Sequence, residues 1–204
     1  RTIDEAAAKA KLAQQGIVVP QGCIARRVDD AVSAARDLGY PVVLKVIAEG
    51  VIHKSDIGGV VVGVDADADV AREAHRILGL APDARVLVEA QAAPGLEMIV
   101  AARREGVVPT LTVGLGGIWT EAFADVACVP LPATPDRVRR AIEGLRGHAL
   151  LAGARGGVAY DVDALCLAAS RIGDLLLAEG LSLIEVNPLI VGHEDCVAVD
   201  AVMA

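Results

Sequence analysis

The sequence is poor in aromatic residues, with one Trp, two Tyr and one Phe among 204 residues. Proteins that bind single-stranded nucleic acid stack the bases on aromatic side chains, and this chain offers few such platforms. Positive charge is also scarce, since 19 Lys and Arg stand against 27 Asp and Glu, for a net charge of −8. Binding to a nucleic-acid backbone requires a basic surface. The composition therefore disfavours a nucleic-acid-binding protein.

Paired cysteines and long apolar runs are missing as well. The four cysteines lie far apart and form no CxxC motif, which is typical of small core residues in a reducing compartment. No apolar run approaches the roughly 20 residues of a membrane-spanning helix, and no signal peptide is visible. We expect a soluble, cytoplasmic protein. Because the chain begins with Arg1 and not with Met, we also expect it to be excised from a longer polypeptide.

Helical and extended patterns follow one another along the whole chain. Helices are predicted over residues 2–15, 29–38, 67–78, 134–145 and 161–179, with Thr2 and Asp29 as N-caps of the first two. Short apolar runs between them, beginning with IVVP at 17–20, predict strands. The order lacks the regular strand–helix alternation of a doubly wound fold. We therefore predict an α+β fold of two lobes, with a hinge near residues 91–95.

The C-terminal segment LIEVNPLIVGHEDCVAVDA, residues 183–201, is typical of a β-hairpin. If its turn spans two or four residues, Asn187 lies opposite Asp200, and Glu185 shares their face because side chains two apart on a strand point the same way. Carboxylate and amide oxygens are the ligands that Mg²⁺ prefers. The pattern predicts a magnesium site. The alternative is that these are solvated positions on an exposed strand face.

Lys45 interrupts the apolar strand PVVLKVI at residues 41–47. An ammonium group in a central strand needs an anion, because an unpaired buried charge is too costly. A nucleotide phosphate would serve. Alternatively, Lys45 reaches past the strand end to solvent or pairs with a carboxylate of the core.

The loop at residues 48–59 holds His53 beside Lys54, between glycines. A histidine in such a loop can act as a nucleophile that accepts and passes on a phosphoryl group, although a lone histidine is more often structural or merely exposed. Further along the chain, Arg155 lies in a glycine-rich loop where it could clamp a phosphate. Glu97, at a strand end, could accept hydrogen bonds from ribose or be a solvated residue.

Five segments in the same order together resemble the ATP-grasp domain of ADP-forming acyl-CoA synthetases: GYPVVLKVIAEGVIHKSDIGGVVVGV, PGLEMIVAARR, GLGGIWTE, LRGHALLAGARGG and LIEVNPLIV. The same domain occurs inside some bacterial lysine acetyltransferases. The similarity covers nearly the whole chain, and HKSDIGG together with EVNPL is its most specific part. It implies an ATP-grasp fold with the nucleotide bound between two α+β lobes, residues 1–92, with a swinging loop at 48–59, and residues 93–204.

The resemblance also implies roles for individual positions. Lys45 and Arg155 would contact the nucleotide phosphates, Glu89 would meet adenine, Glu97 would hold the ribose, and His53 would be phosphorylated. Mg²⁺ would be bound by Glu185, Asn187 and Asp200. One segment departs from the family, since AARREGVVPT at residues 101–110 replaces an RDPxFGP-like segment. The shape of that loop, and with it the adenine contact, is the part of the resemblance that this departure affects.

The implied reaction is acyl-CoA + ADP + phosphate ⇌ carboxylic acid + CoA + ATP, catalysed by an acid–thiol ligase. This chain would perform only the nucleotide half, using ATP or ADP with Mg²⁺, beside CoA-binding and ligase domains that it does not contain. One alternative is a non-catalytic nucleotide-binding module of a lysine acetyltransferase. Another is an ATP-grasp ligase that joins a carboxylate to an amine, which would have no use for His53.

Overall fold

The structure, a computed structural model, describes residues 2–51, 54–117, 125–153 and 157–204. Within these ranges the helices are α1 (Glu5–Gln14), α2 (Val28–Leu38), α3 (Asp67–Leu78), α4 (Pro135–Glu143), α5 (His148–Leu151) and α6 (Val162–Glu179). The strands are β1 (Gly22–Ala25), β2 (Val42–Ile47), β3 (Val60–Val64), β4 (Arg85–Ala90), β5 (Leu96–Arg103), β6 (Thr110–Leu115), β7 (Val126–Pro130), β8 (Leu183–Val191), β9 (Cys196–Ala198) and β10 (Ala201–Met203). The predicted α+β class is confirmed.

The chain forms two compact units, and the first is Pro20–Ala92. Its four strands make an antiparallel sheet in the order β1-β4-β2-β3. Alternate residues of β2 and β4, including Leu44 and Val88, pack against the apolar stripes of α2 and α3. The other face of these strands carries Val43, Lys45 and Glu89. This arrangement puts two charged side chains next to each other on a central pair of strands.

The second unit contains Arg1–Val19 and Ala93–Ala204. Its antiparallel sheet has the order β10-β8-β5-β6-β7, and β9 pairs with β8 beside β10. One face, which carries Met98, Val113 and Val186, packs against α4 and α6 in a continuous apolar core. The opposite face is called the polar face here, and its residues include Glu97, Arg103, Thr112, Cys128 and Glu185.

The N-terminal segment belongs to this second unit, which corrects the expectation that residues 1–92 form one lobe. Ala8, Leu12 and Ile17 are buried in the core of the second unit. Backbone bridges join Ile3 to Met203 and Val18 to Val197. The physical reason is that the apolar side chains of α1 pack against β10 and neighbouring elements, which lie at the other end of the chain.

Three local predictions are also corrected. The N-cap of α1 is Asp4, whose Oδ1 accepts a hydrogen bond from Ala7 N at 2.9 Å, and not Thr2. Helix α2 begins at Val28 without a side-chain cap, so that Asp29 lies in the first turn, where its charge favours the helix dipole. The IVVP segment forms no strand beyond the single bridge of Val18.

The hairpin of β5 and β6 keeps its pairing through the segment that departs from the family. Pairing runs without interruption from Met98↔Leu115 to Arg103↔Thr110. Of the departing residues 101–110, residues 101–103 and 110 lie in these strands, 104–109 form the loop between them, and the sheet is not disturbed. Among the described residues, no helix combines the length and apolar character needed to cross a membrane.

Candidate functional site: a nucleotide and metal site

The C-terminal hairpin has the predicted register. Val191 pairs with Cys196 and Leu189 with Ala198, and beyond the break between β9 and β10 the same register continues with Val186 paired to Ala201. Asn187 N donates to Asp200 O at 3.2 Å, so these two residues face each other across the hairpin. Gly192 N donates to Asp195 O and closes a turn whose central residues are 193 and 194. The turn has the even length that the prediction required.

Glu185, Asn187 and Asp200 are half-buried. Their strand neighbours Val186 and Ala201 are buried in the core, so the three side chains lie toward the polar face. No group of three or more His, Cys, Asp and Glu side chains in the described ranges could hold a metal ion. A site of two carboxylates and one amide suits Mg²⁺, which takes the remaining oxygens of its shell from water and substrate phosphates. The donor set therefore fits a metal that arrives with a nucleotide.

Glu185 also has a cationic neighbour that sequence reasoning missed. Arg103 Nη2 lies 3.0 Å from Glu185 Oε2, and the two side chains are 45% and 30% exposed. Because Glu185 pairs with Ala101, Arg103 is its diagonal neighbour two residues along β5. The signal was present in the sequence, since an arginine directly follows the apolar run Met98–Ala102 of β5. The chain distance between residues 103 and 185 concealed the partner.

Lys45 and Glu89, from the middle of the sheet of the first unit, form a buried ion pair. Lys45 Nζ lies 3.1 Å from Glu89 Oε2, and the two residues are 5% and 2% exposed. The structure thus gives Lys45 a carboxylate partner within the core, one of the two alternatives to a phosphate contact. Since β2 and β4 hold both side chains on one face, Lys45 remains a candidate for phosphate binding and Glu89 for the adenine contact.

The two ends of the loop at residues 48–59 are fixed to neighbouring elements. Asp83 Oδ2 accepts from Glu49 N at 2.8 Å, and Arg76 Nη2 donates to Gly58 O at 2.8 Å. Ser55–Ile57 forms a short 3-10 helix. His53, the predicted phosphorylation site, and Arg155, the predicted phosphate clamp, both lie outside the described residues.

Glu97, the predicted ribose ligand, is exposed near the start of β5. Its carbonyl accepts from Gly116 N at 2.8 Å, which continues the pairing of β5 with β6. Gly117 has a φ of +59°, and a Cβ there would collide with the Glu97 carboxylate. The glycine loop that follows β6 and the carboxylate of Glu97 therefore lie in direct contact.

Asp125 is a second residue that sequence reasoning missed. It is 8% exposed, and its carboxylate accepts from Arg146 N at 3.0 Å and from Gly147 N at 2.8 Å. These amides, Gly147 N foremost, lower the pKa of Asp125 although its burial acts in the opposite direction. Asp125 therefore fixes the backbone immediately before α5. An acid directly before an apolar strand was the only available signal.

Comparison with known proteins identifies the class of this fold. A model of the ATP-grasp domain matches residues 1–204. The chain resembles the acetyl-coenzyme A synthetase 1 of Ca. Korarchaeum cryptofilum in complex with coenzyme A, Ca-AMPCP and HgCl+, with a TM-score of 0.94 and 31% identity, over 100% of this chain and 93% of that one. The chain belongs to the ATP-grasp domain family.

A more particular likeness is to the beta subunit of ADP-forming acetate–CoA ligase I from Pyrococcus furiosus. The two are 34% identical over 213 residues, which cover 100% of this chain and 91% of that subunit. ADP-forming acetate–CoA ligase II of Archaeoglobus fulgidus is 30% identical over 194 residues, but these are only 29% of its length. Within the ATP-grasp domains, the chain thus falls in the family of these ADP-forming ligases, and it matches nearly all of one relative and one segment of the other.

Proposed function

We propose that the chain carries out the nucleotide half-reaction of an ADP-forming acyl-CoA synthetase, an acid–thiol ligase. In this half-reaction the terminal phosphoryl group of ATP moves to and from His53, with ADP as the other nucleotide species. The observation that supports it most is the hairpin register, in which Asn187 lies opposite Asp200 with Glu185 beside them. The whole of this chain also matches 91% of a ligase beta subunit. A solved relative with a phosphorylated phosphohistidine segment, 29% identical, supports the histidine carrier.

In the direction of ATP synthesis, the N–P bond on the His53 imidazole breaks and a new O–P bond forms to the terminal phosphate oxygen of ADP. The imidazole nitrogen takes up a proton, so that His53 and ATP are the products. Bound Mg²⁺ would offset the negative charge of the transferring phosphoryl group. Glu185, Asn187 and Asp200 would hold it, Lys45 and Arg155 would contact phosphate oxygens, Glu97 the ribose and Glu89 the adenine.

The full reaction needs functions that lie elsewhere. We propose that CoA binding and acyl transfer are supplied by CoA-binding and ligase domains, in a separate subunit or in the same polypeptide. Both arrangements occur among the relatives, as a beta subunit and as a longer single chain. We also place the protein in the cytoplasm, where its four free cysteines would stay reduced.

The test is incubation of the chain with Mg²⁺ and γ-labelled ATP, with and without the partner domains. We expect protein-bound label that is labile in acid and stable in base, as for phosphohistidine. It should be absent from His53→Ala and Asp200→Asn and retained in His75→Ala, a control histidine on α3. Tight nucleotide binding without any label, even with partner domains present, would contradict phosphoryl transfer and leave a nucleotide-binding module.

A further inference from the structure

Arg103 lies where a positive charge affects the candidate metal site directly. It is the last residue of β5, and its guanidinium contacts the Glu185 carboxylate from the neighbouring strand at 3.0 Å. The contact involves one oxygen, Oε2, and one terminal nitrogen, Nη2. The pair is only partly exposed, so solvent screens it less than a fully exposed ion pair.

Two consequences follow for a cation at this face. First, Arg103 engages one of the two Glu185 oxygens, which restricts the side chain and leaves Oε1 outside this contact. Second, the charge of Arg103 cancels one of the two carboxylate charges that Glu185 and Asp200 supply. A divalent cation without its own anionic ligands would therefore meet a face of reduced negative charge, with a cation beside it.

A nucleotide changes this balance, because its phosphates bring both negative charge and oxygen ligands for the metal. We propose, on the basis of the proposed function, that Arg103 is a positioning residue. It orients Glu185 and keeps the metal site weak for free Mg²⁺, so that the metal binds as its complex with the nucleotide.

The experiment measures binding of Mn²⁺, a paramagnetic substitute for Mg²⁺, to the nucleotide-free protein by electron paramagnetic resonance. We expect Arg103→Gln to bind free Mn²⁺ about tenfold more tightly than the wild type, because the competing charge is gone and Glu185 is released. Arg103→Lys, which keeps the charge, should restore binding close to that of the wild type. Arg139→Gln should have no effect, since Arg139 pairs with Asp163 on α6, away from the polar face.

A gain in affinity distinguishes this role from a merely structural one, because a damaged fold would lose metal binding. Unchanged Mn²⁺ affinity in Arg103→Gln, or an equal gain in Arg139→Gln, would overturn the inference. The same titration in the presence of ATP, with Asn187→Ala and Asp200→Asn, tests the metal site itself. If both variants bind Mn²⁺–ATP as the wild type does, the proposed metal site fails and the inference with it. If they lose binding while Arg103→Gln behaves as the wild type, only the inference fails.

Discussion

Asp125 is a carboxylate that the protein uses to hold backbone, since both of its oxygens accept hydrogen bonds from consecutive amides at residues 146 and 147. An asparagine at this position would present an amide group to one of those N–H donors and so could accept only one of the two bonds. We expect Asp125→Asn to lower the free energy of unfolding at pH 7 by about 2 kcal/mol.

The pH dependence of that loss follows from the lowered pKa of Asp125 in the folded protein. A carboxyl group whose folded pKa lies below its unfolded value of about 3.9 stabilises the fold fully above that value. Its contribution is lost as the pH falls through the folded pKa. The gap between wild type and Asp125→Asn should therefore stay constant from about pH 7 to pH 5 and shrink below about pH 4.

Urea unfolding at a series of pH values measures this gap. The matched control is Asp174→Asn, because Asp174 is an exposed carboxylate on α6. Its substitution should change stability at pH 7 by less than about 0.5 kcal/mol. A gap for Asp125→Asn that persists undiminished to pH 3 would show that the carboxylate charge is not what holds residues 146 and 147.

Single residues also show how far the sequence predicts the site. Residue type was sufficient to single out Lys45, Glu185, Asn187 and Asp200, because a charge or an amide buried in an apolar strand is costly unless it has a partner. Their partners were not predictable in the same way. Glu89 and Arg103 pair with residues 44 and 82 positions away in the chain, and only the sheet order brings each pair together. A sequence indicates which groups require a partner more readily than it indicates the partner.

At the scale of elements, the hairpin of β8 to β10 was predictable in detail and the helix starts were not. A short turn fixes the register of a hairpin, because the turn alone determines which residues face each other across the two strands. Several residues around the starts of α1 and α2 could serve as a cap. Before α1, Thr2 and Asp4 both have a suitable side-chain oxygen. Ile3 forms a β-bridge with Met203, so the helix begins only after Ile3 and Asp4 is its cap.

Helix α6 ends next to the loop at residues 104–109, and Arg104 connects the two. Its Nη2 lies 3.3 Å from the carbonyls of both Leu176 and Leu177, and its Nε lies 3.4 Å from Leu181 O. Leu176 O also accepts from the amides of Gly180 and Leu181, so Arg104 adds to this C-cap and does not replace it. The last carbonyls of a helix carry a partial negative charge, which a guanidinium stabilises. We expect Arg104→Ala to destabilise the protein by about 1 kcal/mol.

Chemical denaturation of this variant should be compared with that of Arg140→Ala, which removes an exposed arginine from α4. The control should differ from the wild type by less than about 0.5 kcal/mol. Hydrogen exchange at the last turn of α6 should rise in Arg104→Ala and not in the control. Equal stabilities of the two variants would mean that the carbonyl contacts of Arg104 contribute nothing beyond surface charge.

At the scale of the whole molecule, the division into two units does not follow the order of the sequence. Pro20–Ala92 is one continuous segment, whereas the other unit joins Arg1–Val19 to Ala93–Ala204. Composition does not predict this division, because α1 is an Ala-rich helix and its sequence does not indicate which unit it packs against. Which unit such a helix joins depends on the shape of the apolar surface against which it packs.

Because α1 belongs to the discontinuous unit, damage to the packing of α1 should lower the stability of that unit and not of Pro20–Ala92. Leu12 is fully buried in the core of the discontinuous unit, and Leu44 is fully buried in the core of Pro20–Ala92. Truncation of a buried leucine to alanine costs about 2–5 kcal/mol, because it removes apolar burial and leaves a cavity. Leu12→Ala should therefore weaken the unit that carries the polar face and the candidate metal ligands.

Hydrogen exchange followed by mass spectrometry separates the two cases, since it reports stability segment by segment. In Leu12→Ala we expect faster exchange in β5, β8 and α6, with β2 and β4 close to the wild type. Leu44→Ala should give the reverse pattern and is the matched control. If Leu12→Ala instead released the amides of β2 and β4 while those of β8 stayed protected, the N-terminal helix would belong to the other unit. The metal site would then be independent of residues 2–19. With the expected pattern, a segment nearly 200 residues away in the chain supports the strand that directly follows Asp200, because α1 packs on β10.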